Sequence, residues 1–256
     1  MKKLLLACSI ATLTFASASA IATEAAAQGP GATTDWTGFY AGVHLGYGYG
    51  DGDGSTGLLP SPVAFGAAPF TSSIDFDGFA AGGQAGFNWQ SGSFLFGVEA
   101  DLAWTDIDGT DRVTPLSTAG GTPIAAWFQD GTADVNWFGT LRARAGIFAN
   151  PTTMIYLTGG AAFADVEYTT FTSFTPAPMF QYAGSDSETA MGWTAGGGVE
   201  WSIGADWSMK AEYLYFDLDD EVSYNALPLA ANPPFEVTQR FETEGRFIRF
   251  GVNRRF

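Results

Sequence analysis

Cysteine is nearly absent from this 256-residue chain: Cys8 stands alone, so no disulfide framework forms. Charge is scarce and one-sided. Asp, Glu, Lys and Arg make up 15% of residues, and 27 acids against 11 bases give a net charge of −16. A nucleic-acid binder would carry the opposite sign. Histidine is reduced to His44, which leaves no Cys/His spacing for zinc. Past the first 20 residues no apolar run is long enough to cross a membrane as a helix. Aromatics, by contrast, reach 15%, and glycine contributes 33 residues. A disordered chain lacks such an aromatic content. What remains is an all-β body, a single domain by length.

Residues 1–20 read as a signal peptide. Lys2 and Lys3 precede an apolar stretch from Leu4 to Phe15, and two small-residue cleavage sites follow, Ala18-Ser19-Ala20 and Ala25-Ala26-Ala27. Both sites stay open, and Cys8 leaves with the leader in either case. Residues 28–35 read as a short lead-in, and residues 36–256 as the folded domain.

That domain carries eight stretches of period-2 alternation, the sequence mark of barrel strands. They fall at about 38–49, 76–90, 94–105, 135–148, 154–168, 191–203, 207–217 and 245–256. In the first, Phe39, Val43, Leu45 and Tyr47 share one face, while Tyr40, His44 and glycines share the other. In the fourth, Val135, Trp137, Leu141 and Ala143 oppose Thr140, Arg142 and Arg144. The fifth is ambiguous; Asp165 and Glu167 point to odd positions facing inward. The connections alternate in length: 51–75, 106–134, 169–190 and 218–244 are long, whereas 91–93, 149–153 and 204–206 are short. Long extracellular loops and short periplasmic turns are the rule for outer-membrane barrels. The expected fold is therefore an all-β, eight-stranded, antiparallel up-and-down transmembrane β-barrel.

The polar face holds Glu99, Asp101, Glu200 and Glu212 against Arg142, Arg144, Lys210 and Arg249, four acids to four bases. A soluble barrel would turn these outward. Three features place them inside. Trp89, Phe94 and Trp207 at one end, and Trp104, Trp137, Trp193 and Tyr215 at the other, mark two interfacial girdles. The charged face is rich in glycine, as a tight interior requires. The chain ends on an aromatic strand.

Trp36-Thr37-Gly38-Phe39-Tyr40-Ala41-Gly42 resembles the first-strand motif of the small OmpA-like porin family, which includes the immunogenic outer-membrane proteins of Gram-negative bacteria. Phe96 to Asp101, Gly139 to Gly146, Lys210 to Tyr215 and the ending Arg249 to Phe256 resemble it too. The resemblance implies a barrel in the cell outer membrane, a surface antigen inserted by the assembly machinery. That machinery would read Ile248, Phe250, Val252 and Phe256 as its signal. Family members carry an aromatic residue where Arg254 stands here. No peptidoglycan-binding domain is expected after the last strand.

The eight inward charges fall near mid-barrel height, where unpaired they would be costly. They are expected to form a salt-bridged filling; the same set is a candidate ion-pair gate for a narrow porin. His44 has no evident nucleophile partner, and no catalytic constellation appears, so the chain is not expected to be an enzyme. Asp51-Gly52-Asp53-Gly54-Ser55 begins like a calcium loop but has Thr56 and Pro62 where Gly and Glu belong. It reads as a hydrated acidic loop tip, like Asp106, Asp108, Asp111 and Asp130 in the second loop and Asp219, Asp220, Glu221 and Glu236 in the fourth. Divalent bridging to lipopolysaccharide is the functional alternative. Leu58, Leu59, Phe65, Phe70, Phe171, Phe174, Met179, Phe180 and Tyr182 are expected to pack loops on one another or to extend the strands. The family includes haem binders, but no loop histidine stands here and no cofactor is expected. Lipid and lipopolysaccharide are the expected partners of a monomer.

Overall fold

A computed structural model describes residues 35–59, 67–174, 180–230 and 236–256. The expectations for the signal peptide, its cleavage sites and most of the lead-in lie outside the described residues, as do Pro62, Phe65 and Met179. The strands are β1 Gly38–Leu59, β2 Phe70–Ser91, β3 Phe94–Val113, β4 Leu116–Ser117, β5 Pro123–Ile124, β6 Phe128–Asn150, β7 Thr153–Ser173, β8 Gln181–Ser202, β9 Trp207–Pro228 and β10 Glu236–Arg255. The short pair β4–β5 lies in the second loop. The eight long strands close into one barrel, each antiparallel to its chain neighbours, with β10 returning to β1. Closure leaves no sheet edge, which a wall facing lipid requires.

The long strands all outrun their alternation, by up to a factor of two in β9, Trp207–Pro228. A 22-residue strand such as β1, rising about 3.4 Å per residue and tilted about 40°, stands about 55 Å tall. The apolar outer band of such barrels is only about 25 Å tall. Here that band runs on β1 from Phe39 through Val43 and Leu45 to Tyr49, all exposed. Exposed Trp89, Phe94 and Trp207 border it below, and Trp104, Trp193, Tyr47 and Tyr49 border it above. The upper half of the wall therefore rises beyond the bilayer, and most residues expected in long loops belong to strands. The connections on that side shrink to 60–69, 114–127, 174–180 and 229–235, still longer than the turns below. Asp51 to Ser55 is strand, not a loop tip, and Asp106, Asp108, Asp111 and Asp130 also lie in β3 and β6.

Two facings differ from expectation. In β7 the even positions point inward: Met154, Tyr156, Ala162, Ala164, Val166 and Tyr168 are buried. Asp165 and Glu167 point outward because they stand above the apolar band, where the outside is water. In β6 the facing changes at Asn136. Trp104 pairs with Trp137 and Ile107 with Val135, so Thr105 and Asp106 oppose Asn136 alone. Against β7, Asn136 has no partner residue at all. Such an extra residue displaces the alternation beyond it, and Val135 turns inward, buried. The Thr105 hydroxyl donates to the Val135 carbonyl within the bulge.

The lumen is filled in layers. From the periplasmic end they are a small apolar plug around Trp36, Leu95, Met154 and Tyr156; the charged layer; and an apolar core. In that core Phe138, Phe216 and Phe247 meet with ring centroids 4.8 to 5.5 Å apart. Above lie a polar layer, where the Thr56 hydroxyl donates to Gln239 and the Thr172 hydroxyl to Gln129, and an apolar cap. Leu58, Phe70, Phe174, Phe180 and Tyr182 pack in the cap with Leu116, Trp127 and Val237. Loop packing and strand extension thus both occur.

Candidate functional site in the lumen

All eight inward charges meet in one buried network. Five strands supply them: Glu99 and Asp101 from β3, Arg142 and Arg144 from β6, Glu200 from β8, Lys210 and Glu212 from β9, and Arg249 from β10. They sit in the lowest third of the barrel, mid-height in the apolar band rather than in the barrel as a whole. The upper wall, unforeseen, moves the barrel's midpoint up to the phenylalanine core.

Arg142 is the hub. Its Nη2 lies 2.5 Å from Glu99 and 3.0 Å from Asp101, its Nη1 lies 3.0 Å from Glu212, and its Nε donates to the Thr140 hydroxyl. Arg249 spans Asp101 at 2.8 Å and Glu212 at 2.6 Å. Lys210 reaches across the lumen to Glu99 at 2.8 Å. Arg144 pairs with Glu200 at 2.5 Å and lies over the Tyr156 ring. The carboxylates' remaining lone pairs accept from hydroxyls and an amide. Tyr40 donates to Glu99, Tyr156 to Glu212, Thr140 to Asp101, and Ser208 and Asn253 to Glu200. Extra hydrogen bonds of this kind are the condition under which a buried ion pair offsets its desolvation. The alternation places Tyr40 and Thr140 on the inner face without a role; Tyr156 lies on the strand whose facing is the reverse of the expected one.

β1 contributes room instead of charge. A Cβ on Gly46 would stand 2.9 Å from the Arg249 Cγ, so glycine there makes room for the arginine stem. His44 is buried beside this layer with the Gln84 side chain as its polar neighbour, and neither ring nitrogen completes a hydrogen bond of good geometry among the described residues. The Gln84 Oε1 and Asn88 Oδ1 also lack one. Buried polar atoms in that state call for ordered water. Among the described residues no group of three His, Cys, Asp or Glu side chains is arranged to hold a metal.

The outer face of the protruding wall has the reverse character. Acids stand directly opposite acids across the ladders: Asp217–Glu244–Asp51–Asp75 on one side, Asp77–Asp108–Asp134–Glu167 on the other. Partial burial, then Glu244, Asp53 and Asp75, hold the Asp51 carboxyl above its ordinary 3.8. Burial and Asp108 raise Asp134 in the same way. At the other end, Ile248, Phe250 and Phe256 point outward and are exposed. The Arg254 guanidinium lies 5.9 Å from the Trp207 ring centre and 5.6 Å from that of Phe256.

Comparison with known proteins agrees with this architecture. The family model for an outer membrane protein beta-barrel domain matches residues 11–256. The 31 kDa outer-membrane immunogenic protein of Brucella melitensis is 35% identical over 234 residues, covering 85% of this chain and 88% of its own. The 22 kDa outer membrane protein of Rhizobium leguminosarum is 29% identical over 71% of this chain and 64% of its own. Among solved structures, the outer membrane protein OprG from Pseudomonas aeruginosa matches over 88% of this chain and 100% of its own, with 13% identity and a TM-score of 0.49. The chain therefore belongs to the outer-membrane β-barrel family of the immunogenic outer-membrane proteins, and its place is the outer membrane of a Gram-negative cell.

Proposed function

We propose that this protein is a structural barrel of the outer membrane: a closed, non-catalytic cylinder that contributes to envelope integrity and displays an acidic wall to the exterior. The observation that carries the reading is the layered filling of the lumen, from Trp36 through the ion pairs and the phenylalanine core to the Tyr182 cap. Ions crossing such a lumen would have to displace packed rings as well as paired charges. The partners of this reading are outer-membrane lipid, lipopolysaccharide around the upper girdle, and the assembly machinery acting on the Ile248–Phe256 strand.

A narrow porin is the second reading. The water demanded by His44, Gln84 and Asn88 favours it, because it hydrates the lower lumen. Single-channel recording on the refolded protein in a planar bilayer separates the two, with a heat-shifted gel band as proof of folding. Folded protein is expected to give no discrete steps. Ion-selective steps in most insertions would overturn the structural reading and make Arg142, Arg249 and their carboxylates the gate.

A further inference from the structure

The periplasmic mouth is closed by a side chain that belongs to no strand. Trp36 precedes β1, yet its indole is 1% exposed. It packs inside the lumen against Leu95 of β3, Phe148 of β6, and Met154 and Tyr156 of β7. β7 stands opposite β1 in the ring of eight, so this one residue bridges the whole bore. Tyr156 belongs to the same cluster and its hydroxyl donates to Glu212, so this plug lies directly beneath the ion pairs.

Nothing in the barrel ladder holds this residue. The Trp36 backbone N–H donates to the Gln90 side chain at 2.9 Å. The Gln90 N–H in turn donates to the Thr37 hydroxyl at 3.1 Å. From below, the Arg255 guanidinium covers the indole at 4.5 Å, itself held by the Ala205 carbonyl and the Ser202 hydroxyl. Among the described residues the indole N–H has no partner, so within them burial of Trp36 rests on ring packing. Gly38 turns the chain into the mouth. Its φ is +138°, a region that side chains disfavour, and a Cβ there would stand 2.8 Å from the Phe256 carbonyl oxygen.

We propose that Trp36 is a hinged stopper on Gly38, clipped by Gln90 and Thr37, that decides whether water and solutes of the periplasm reach the ion-pair layer. The proposal rests on the closed-lumen reading but concerns one end only. Conductance tests passage through the whole barrel; the experiment here tests entry at the mouth.

Leu95 is fully buried behind the indole, and Cys8 is the sole natural cysteine. Leu95→Cys, in a chain refolded without the leader, is therefore a clean reporter for a charged thiol reagent, with Met154→Cys as a second. Ala164→Cys, buried in the apolar core above, reports on the rest of the lumen. With Trp36 in place, both mouth cysteines are expected to react slowly. Trp36→Ala is expected to speed them at least ten-fold, and Gly38→Ala to do likewise by unseating the ring. Trp36→Phe is expected to keep them slow, and Ala164→Cys to stay unreactive throughout. Fast labelling of the mouth cysteines with Trp36 present would overturn the proposal. So would unchanged protection in Trp36→Ala, or labelling of Ala164→Cys alongside, which would make Trp36 a support for the whole lumen.

Discussion

The lower and upper halves of this barrel are inside-out copies of one another. Below the upper aromatic girdle the wall is apolar outside and charged inside, with Leu45, Phe96 and Phe250 on lipid and Arg142 and Glu99 in the bore. Above it the wall is acidic outside and mainly apolar inside, with Asp75 and Asp77 outward, Ile74 and Phe76 buried, and one hydrogen-bonded layer of Gln129 and Gln239 between the apolar core and cap. Between β1 and β2 the strands run through without a break, and the backbone pairing is the same on both sides of the girdle. What changes is the solvent beyond the wall. In lipid, apolar side chains go outward at no cost, and the bore becomes the only place for charge. In water, the hydrophobic effect reclaims the bore. The girdle of Trp104, Trp193 and Tyr47 is the line at which one rule gives way to the other.

The two fillings should fail differently, and the charged one should fail hardest. Arg142→Met keeps the volume of the hub but leaves Glu99, Asp101 and Glu212 sharing Arg249, Lys210 and the more distant Arg144. Breaking a buried ion pair by removing one partner costs about 3–5 kcal/mol. A urea titration of the refolded protein, read by the heat-shifted band, is expected to show a loss in that range. A loss below about 1 kcal/mol would mean that water, not ion pairing, stabilises the lower lumen.

A matched pair of arginines probes the boundary itself with a smaller effect. Leu45→Arg puts a charge on the lipid face near mid-band, where arginine costs about 2–4 kcal/mol. Asp75→Arg puts the same residue on the protruding face, directly opposite Asp51. There it exchanges a like-charge pair for an opposite one, a gain of about 0.2–1 kcal/mol. Equal costs at the two positions would place both in one medium and erase the boundary.

The sequence revealed the membrane half well and the protruding half poorly, for one reason. Alternation with the apolar face outward marks a strand only as far as lipid reaches. Where it inverts, as in Ile74-Asp75-Phe76-Asp77 or Tyr215-Phe216-Asp217-Leu218, the expected strands stop: Ile74 and Asp75 fall in the first expected loop and Leu218 in the fourth. The inversion was itself legible: in both stretches period 2 continues across the girdle with charge and apolarity exchanged. The members of the ion network were legible because charge on a lipid-facing strand has only one place to go. Their pairing was not. Glu99 and Arg142 stand opposite each other in register, but Lys210 neighbours Glu200 in register and bonds Glu99 across the bore instead. Strand stagger sets such contacts, and no local pattern encodes it. Nor does any pattern mark Asn136, whose bulge turns Val135 inward.

The smallest predicted effect is also the most specific to the upper half, because its sign is unusual. A carboxylate stabilised by a cation loses stability as pH falls. Asp51 and Asp134 are the reverse: partial burial and facing acids raise both. The folded state then binds their protons more tightly than the unfolded chain does. The penalty of ionisation is fully present above the raised values. It fades as pH falls through them towards the ordinary 3.8, so these two groups make the fold more stable on mild acidification. Asp51→Asn removes the charge at every pH. It is expected to stabilise the barrel at neutral pH by about 0.2–1 kcal/mol, the scale of a cross-strand pair, and to flatten the rise towards acid. High salt should shrink both effects, since exposed charges are screened. Urea midpoints measured from pH 7 down to pH 4 on both proteins decide the matter. A wild-type midpoint that falls over this range no less steeply than that of Asp51→Asn would show that the belt of facing acids costs the upper wall nothing, and that its exterior is neutralised by something other than protons.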